Sequence, residues 1–151
     1  MSSLDRERTI LDLEVEMAVL VRRIKRVISE RAQAIHPDLT STGYLVLAYM
    51  NEHGPVRASE VVDAFNLDKG AVSRLVQTVV DLGLVSKERD PDDGRAWVVS
   101  LTDEGRQRMH DLATVRRARL GRRLEGWSDA DLNAFVATLA RYNTSLDEDQ
   151  D

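Results

Sequence analysis

The chain contains no cysteine. That single absence removes disulfide frameworks, thiolate metal centres and cysteine redox sensing together. With 3 prolines and 8 glycines in 151 residues, it is neither collagenous nor a Pro-rich disordered chain. No apolar run approaches the roughly 18 to 20 residues that a membrane span needs. The opening stretch from Met1 to Thr9 is polar and charged and has no apolar signal core, so a soluble cytoplasmic protein without membrane contact is expected. Basic charge is not in excess either. There are 21 Lys and Arg against 26 Asp and Glu, a formal net charge of −5, so any polyanion would have to be gripped by local placement of cations. No nucleophile–base pair, phosphate-cradling Gly loop or supported carboxylate dyad stands out, and His36, His53 and His110 fit no metal-ligand spacing. Neither an enzyme nor a protein with a cofactor or metal is expected.

What is present is helical. At 42% hydrophobic and 31% charged residues the chain reads as one globular protomer over 1–151. Ile10, Leu13, Met17, Leu20, Ile24 and Val27 form a heptad seam on a helix expected over 5–34. Leu11, Val21 and Ile28 widen its stripe. At 1.5 Å per residue this helix is about 45 Å long, more than so small a domain can cover, so part of it should meet another chain. His36-Pro37-Asp38 interrupts it. A second helix, capped by Thr40 or Ser41, carries Tyr44, Leu47 and Ala48 on one face and ends at Gly54-Pro55. A third spans Ala58 to Phe65, with Val61, Val62 and Phe65 in phase. After the short turn Asn66-Leu67, a fourth begins behind Asp68 as N-cap and runs through Val72, Leu75, Val76 and Val79 to Leu82 and Gly83. Two short helices joined by so brief a turn are a helix-turn-helix candidate.

The periodicity then changes. Leu84 to Arg89 and Ala96 to Leu101 are short and β-leaning, and Asp90-Pro91-Asp92-Asp93-Gly94 between them has turn chemistry throughout. A β-hairpin directly behind the second helix of the motif makes it winged. Thr102 caps the next helix, with Asp103 and Glu104 in its first turn. That helix should reach about Glu125, with Met109, Ala113, Leu120 and Leu124 on one side. Its arginines Arg116, Arg117, Arg119, Arg122 and Arg123 read as solvated surface. Ser128 and Asp131 form a capping-box pattern for a last helix with Leu132, Phe135, Val136, Leu139 and Tyr142 on its apolar face. The acidic tail 146–151 is expected to fray. The fold class is thus mainly α with a small β-hairpin: a winged helix-turn-helix over 40–101, flanked by dimerisation helices at 5–34 and 103–145.

A helix-turn-helix places its second helix in the major groove of double-stranded DNA. With the valines turned inward, Lys69, Ser73, Arg74 and Gln77 face out, and Gly70 and Ala71 are small enough to let backbones approach. The fork of Arg74 matches guanine O6 and N7. Gln77 could read adenine or hold a phosphate, while Lys69 and Ser73 suit the sugar-phosphate backbone. Arg95 stands at the hairpin tip, where a narrow minor groove concentrates negative potential. Asp93, two residues before it, suits a DNA surface only if it pairs with Arg95 and fixes its direction. The segment from Arg57 to Leu101 holds 6 basic and 8 acidic residues, so contact strength must come from a few well-placed cations, doubled by a second subunit, and should fall steeply with salt. Trp97 alternates with Val99 and Leu101 and is expected to pack under the wing. Trp127 reads as a core or interface anchor.

The run from Asp90 through Asp93-Gly94-Arg95 to Leu101-Thr102-Asp103-Glu104-Gly105 resembles the wing signature of the MarR (multiple antibiotic resistance regulator) family, Asp-x-Arg followed by apolar strand residues and Leu-Thr-x-x-Gly. Helix order and the stretch from Leu75 to Leu84 are similar too, so the resemblance covers nearly the whole chain. Two departures stand out: Gly94 replaces the first Arg of the usual Asp-Arg-Arg, and Arg57 stands where a Ser or Thr cap is common, leaving the next helix frayed or capped by Ser59. The resemblance implies a homodimer with interlocked terminal helices, a pseudo-palindromic operator, and a repressor released by a small, often aromatic anion. His36, Tyr44, Tyr49 and His110 are the positions that could line such an effector site. Two function classes stay open: a ligand-responsive repressor, or a winged-helix dimer serving as a protein-interaction or architectural DNA module without ligand response.

Overall fold

The structure, a computed structural model, describes residues 3–148. Its order is α1 (Ser3–Ile35), α2 (Ser41–His53), β1 (Val56–Arg57), α3 (Ala58–Phe65), α4 (Lys69–Asp81), β2 (Val85–Arg89), β3 (Trp97–Leu101), α5 (Asp103–Leu124) and α6 (Asp129–Glu148). No helix among the described residues is long and apolar enough to cross a membrane. The chain divides into two compact units, one through Ala113 and the other from Thr114, with α5 running across the division.

Side-chain chemistry at each boundary explains the helix ends. Leu39 and Asp38 fold back onto His36, Leu39 N–H donating to its carbonyl and Asp38 N–H to its Nδ1, which closes the turn behind α1. Thr40 Oγ1 accepts from Gly43 N–H at 3.0 Å and starts α2. Gly54 ends it at φ 77, donating to Met50 O at 2.8 Å, a backbone shape that favours glycine. Asp68 Oδ1 accepts from Ala71 N–H at 2.8 Å and starts α4. Thr102 Oγ1 accepts from Gly105 N–H at 3.1 Å while donating to Gly83 O at 2.7 Å, so one hydroxyl caps α5 and fastens it to the end of α4. Ser128 and Asp131 form the expected box, Asp131 N–H donating to Ser128 Oγ and that hydroxyl to the Asp131 carboxylate. Helix α6 runs through Glu148, into the stretch 146–151 expected to fray. Residues 149–151 lie outside the described residues.

The β part is larger than a hairpin. β2 and β3 pair antiparallel, with Arg89 opposite Trp97 and Val85 opposite Leu101, and the two-residue β1 adds to the far side of β3 through Val56 opposite Val99. The sheet order is β1-β3-β2. A two-residue strand has no alternation to detect, which is why periodicity misses β1. The core of the first unit gathers Val46, Leu47 and Met50 of α2, Val61 of α3, Val72, Val76 and Val79 of α4, Leu84 and Val99, all fully buried. At about 1.5–3 kcal/mol for each large side chain removed from water, this cluster fixes α4 and the wing on one scaffold. Ala32 and Ile35 at the end of α1 and Met109 of α5 join it. Arg108 reinforces that corner, donating from Nη1 to Ile35 O at 2.6 Å, so a cation closes one of the last carbonyls of α1.

Candidate nucleic-acid interface

Three valines define α4. Val72, Val76 and Val79 are buried, and Lys69, Ser73, Arg74 and Gln77 are all exposed on the other side. The face expected from the valine spacing is therefore the face that solvent meets. Arg74 lies back over the first turn, its Nη1 3.4 Å from where a β-carbon on Gly70 would stand. Gln77 is engaged within the helix, its Nε2 donating to Asp81 Oδ1 at 2.8 Å. The turn before α4 depends on Asn66 at φ 48, a left-handed shape that asparagine tolerates better than most side chains.

The wing turn is tightly built. Asp90 is 6% exposed, its Oδ1 accepting from Asp92 N–H at 2.8 Å and from Asp93 N–H at 3.4 Å. Its Oδ2 meets Arg57 Nη2 at 2.7 Å. The Asp92 N–H bond, with smaller contributions from Asp93 and Arg57, holds the Asp90 carboxyl below the usual carboxylate range even though burial pushes it upward. Ala96 N–H donates to Asp93 O at 2.9 Å and Asp90 N–H to Ala96 O at 3.1 Å. Arg89 Nη1 donates to Gly94 O at 3.1 Å. Asp93 does engage Arg95, but through the backbone, its Oδ1 accepting from Arg95 N–H at 3.1 Å. Asp93 therefore shapes the turn and leaves the Arg95 guanidinium to solvent.

Arg57 changes meaning. The start of α3 is neither frayed nor capped by Ser59, because the Glu60 carboxylate reaches back to accept from Arg57 N–H. That is half of a capping box. An arginine side chain has no acceptor for the other half, and it turns to Asp90 instead. Trp97 also departs from simple apolar packing. It is half-buried, with Arg89 Cζ at 3.9 Å and Lys87 Nζ at 4.5 Å from its ring centroid, each such contact worth about 0.5–1 kcal/mol where solvent reaches it.

The four positions considered for a small ligand have mostly local partners. Tyr44 is buried in the core. Tyr49 stacks on His53 with centroids 4.2 Å apart and meets Phe65 edge-on at 5.7 Å. His36 stands 3.9 Å from Asp38 Oδ2, and His110 is exposed on α5. Among the described residues no group of three or more His, Asp and Glu is arranged to hold a metal ion.

Comparison with known proteins accords with this geometry. The model of the MarR family matches residues 38–96, which span α2, the helix-turn-helix and the wing turn. The HTH-type transcriptional regulator YxaD of Bacillus subtilis is 28% identical, over 89% of this chain and 92% of its own. The HTH-type transcriptional repressor NicR of Pseudomonas putida is 26% identical, over 99% and 94%. A crystal structure of a MarR family transcription regulator superimposes with a TM-score of 0.78 at 20% identity, covering 97% of this chain and 99% of that one. A MarR family protein from Bacillus stearothermophilus gives 0.74 at 23%, over 93% and 96%. The chain belongs to the MarR family. As a MarR-family protein it is a DNA-binding transcriptional regulator and not an enzyme. The residues of this MarR wing that sequence reasoning passed over are Asp90, Lys87 and Arg89. Counting the hairpin register outward from the turn pairs Arg89 with Trp97, and an Asp immediately before Pro at a turn is an Asx-turn signal.

Proposed function

We propose that the protein is a homodimeric, sequence-specific repressor whose α4 face reads the major groove through Arg74 and Gln77, with Lys69 and Ser73 on phosphates. Arg95 enters the flanking minor groove, its direction fixed by the Asp93 turn. The observation that carries this reading is the exposed row Lys69, Ser73, Arg74 and Gln77 on the same scaffold as a wing whose tip arginine has its guanidinium in no ion pair among the described residues. Dimerisation is supported by apolar side chains that one chain leaves in water: Ile10, Leu13, Leu20 and Ile24 on α1, and Phe135, Val136 and Leu139 on α6, are each between 43% and 58% exposed, more than a monomer ordinarily leaves in one stripe. Two-fold symmetry then sets the recognition helices about 34 Å apart on a pseudo-palindromic operator. Repression accords with the role of the relative NicR, a transcriptional repressor.

Release by a small aromatic anion is part of the same proposal and draws on the family resemblance, with His36, Tyr44, Tyr49 and His110 as its candidate contacts. A duplex enriched from random-sequence DNA by the purified protein tests the DNA reading. Arg74→Ala should relax the base preference at one position of each half-site, while Arg95→Ala should weaken binding broadly and alter the A·T preference beside it. Unchanged binding by both variants would favour an architectural or protein-interaction role. Sedimentation equilibrium tests the dimer. A thermal-shift series with aromatic carboxylates tests the effector, and absence of any stabilisation would remove that class.

A further inference from the structure

Lys87, Arg89 and Trp97 share one face of the wing. Arg89 sits directly opposite Trp97 in the β2–β3 ladder and Lys87 opposite Val99; cross-strand partners and residues two apart along a strand point to the same side. Toward the core this face is apolar and buried, through Val85, Val99 and Leu101. Toward the tip it carries two cations within 4.5 Å of a single ring centroid. Like charges on one ring repel each other, and no ion pair among the described residues neutralises either one. Glu88 belongs to the opposite face by the same alternation.

We propose that Lys87 and Arg89, braced on Trp97, form a second phosphate-gripping site on the wing, distinct from the Arg95 tip, and that the anion they take is the DNA backbone. Arginine has five N–H donors and lysine three. Of these eight, one is engaged, Arg89 Nη1 with Gly94 O. The ring contacts bias the remaining donors toward this arrangement before any ligand arrives, so part of the side-chain ordering that binding requires is already in place. The bond to Gly94 also places the site next in sequence to Arg95, so phosphate grip and minor-groove entry belong to one rigid turn. In a chain with net charge −5, such prearranged cation pairs are how backbone affinity can be gathered without a basic surface. The inference rests on the DNA-binding reading above.

Salt dependence separates this from a packing role. Each phosphate-neutralising cation removed should flatten the slope of log affinity against log salt by about 0.9, so about 1.8 for a substitution carried by both protomers of the dimer, whereas a mere packing defect leaves the slope alone. With the full-length protein and the enriched duplex, followed by fluorescence anisotropy across a salt series, Lys87→Gln is the cleanest variant, since Lys87 makes no hydrogen bond to the turn. It should fold normally, weaken binding and flatten the slope, as should Arg89→Gln. Trp97→Leu should flatten the slope as well, because it keeps apolar bulk but loses the ring, and Trp97→Phe should largely restore it. If Lys87→Gln and Arg89→Gln bind with the wild-type slope, the second phosphate site is overturned while the DNA reading stands. If the wild-type chain binds no duplex, both fall together.

Discussion

Arg57 and Asp90 meet at 2.7 Å between Nη2 and Oδ2, joining the first turn of α3 to the root of the wing. The arginine sits at an N-cap position where its side chain can accept nothing, and the helix start is held from the other direction by Glu60. What looks in sequence like a missing cap is a brace between the helix-turn-helix and the wing. Asp90 is saturated from two sides, by backbone donors within the turn and by this guanidinium. Wing direction is therefore set by a buried carboxylate whose partners lie on both parts of the DNA-binding unit.

Wing order should be lost in acid through Asp90. Its folded carboxyl titrates below the ordinary value of 3.8, so the ionised form is the one the fold prefers. The associated stability is fully present above about pH 4 and disappears as pH falls through the depressed folded value. Following the Asp90 carboxyl by NMR should give a midpoint below that of a solvated aspartate, and Asp90→Asn should remove the corresponding segment of the acid-unfolding curve. Because Arg57 lowers the value through both its charge and its hydrogen bond, Arg57→Ala should raise the midpoint, while the Asp92 N–H bond, the largest single cause, still holds it down. A midpoint at or above the ordinary value would contradict the described turn.

Arg57→Ser separates the brace from the cap. Serine restores a side-chain acceptor at the start of α3, worth about 0.5–2 kcal/mol of helix stability, while deleting the contact with Asp90. Thermal stability should change little, the gained cap offsetting the loss of the guanidinium beside the buried Asp90 carboxylate. Affinity for the enriched duplex should fall, by the roughly 0.5–1.5 kcal/mol needed to order a freed group on binding. Equal or tighter binding would mean that the wing does not depend on Arg57.

How far the chain can be read from its residues alone depends on the reach of each signal. The valine spacing of α4, the Thr40 and Asp68 caps, Gly54, and the Ser128–Asp131 box each act within a few residues, and the structure shows them where local chemistry puts them. Long-range partners are invisible at that level. Nothing near Arg57 in sequence announces Asp90, nothing near Arg108 announces the Ile35 carbonyl, and β1 is too short for a period. Trp97 misleads because its alternation with Val99 and Leu101 is real, yet the face changes from apolar to cationic along its length. Alternation reports which side a residue faces and says nothing about where along that side the core stops.

Gly105→Ala should be strongly destabilising. A β-carbon at Gly105 would run into the Leu84 carbonyl oxygen, which is itself held by Thr102 N–H at 3.0 Å. Neither backbone can yield without separating α5 from the start of β2. Overpacking of this kind typically costs about 1–3 kcal/mol, a downward shift of several degrees in a thermal melt for a domain of this size. An unchanged melting temperature would show that α5 does not approach Leu84 so closely.

Asp81 should act as a brake on DNA binding. Gln77 is the second candidate reader of base edges, yet its amide nitrogen donates to Asp81 Oδ1 at 2.8 Å, and both side chains are exposed. Reaching a base requires Gln77 to break that bond and leave behind a carboxylate whose charge repels phosphate. Exposed pairs of this kind are worth about 0.2–1 kcal/mol, so Asp81→Ala should tighten binding by up to about fivefold per protomer. It should also sharpen the base preference at the position Gln77 reads, since the amide is then free to make two bonds to adenine. Gln77→Ala in the same background should abolish the sharper preference and leave only the part of the affinity gain that comes from removing the Asp81 charge. Should Asp81→Ala tighten binding equally with and without Gln77, the effect is charge alone and Gln77 reads no base. If neither affinity nor preference changes, Asp81 lies too far from the duplex for the proposed docking of α4.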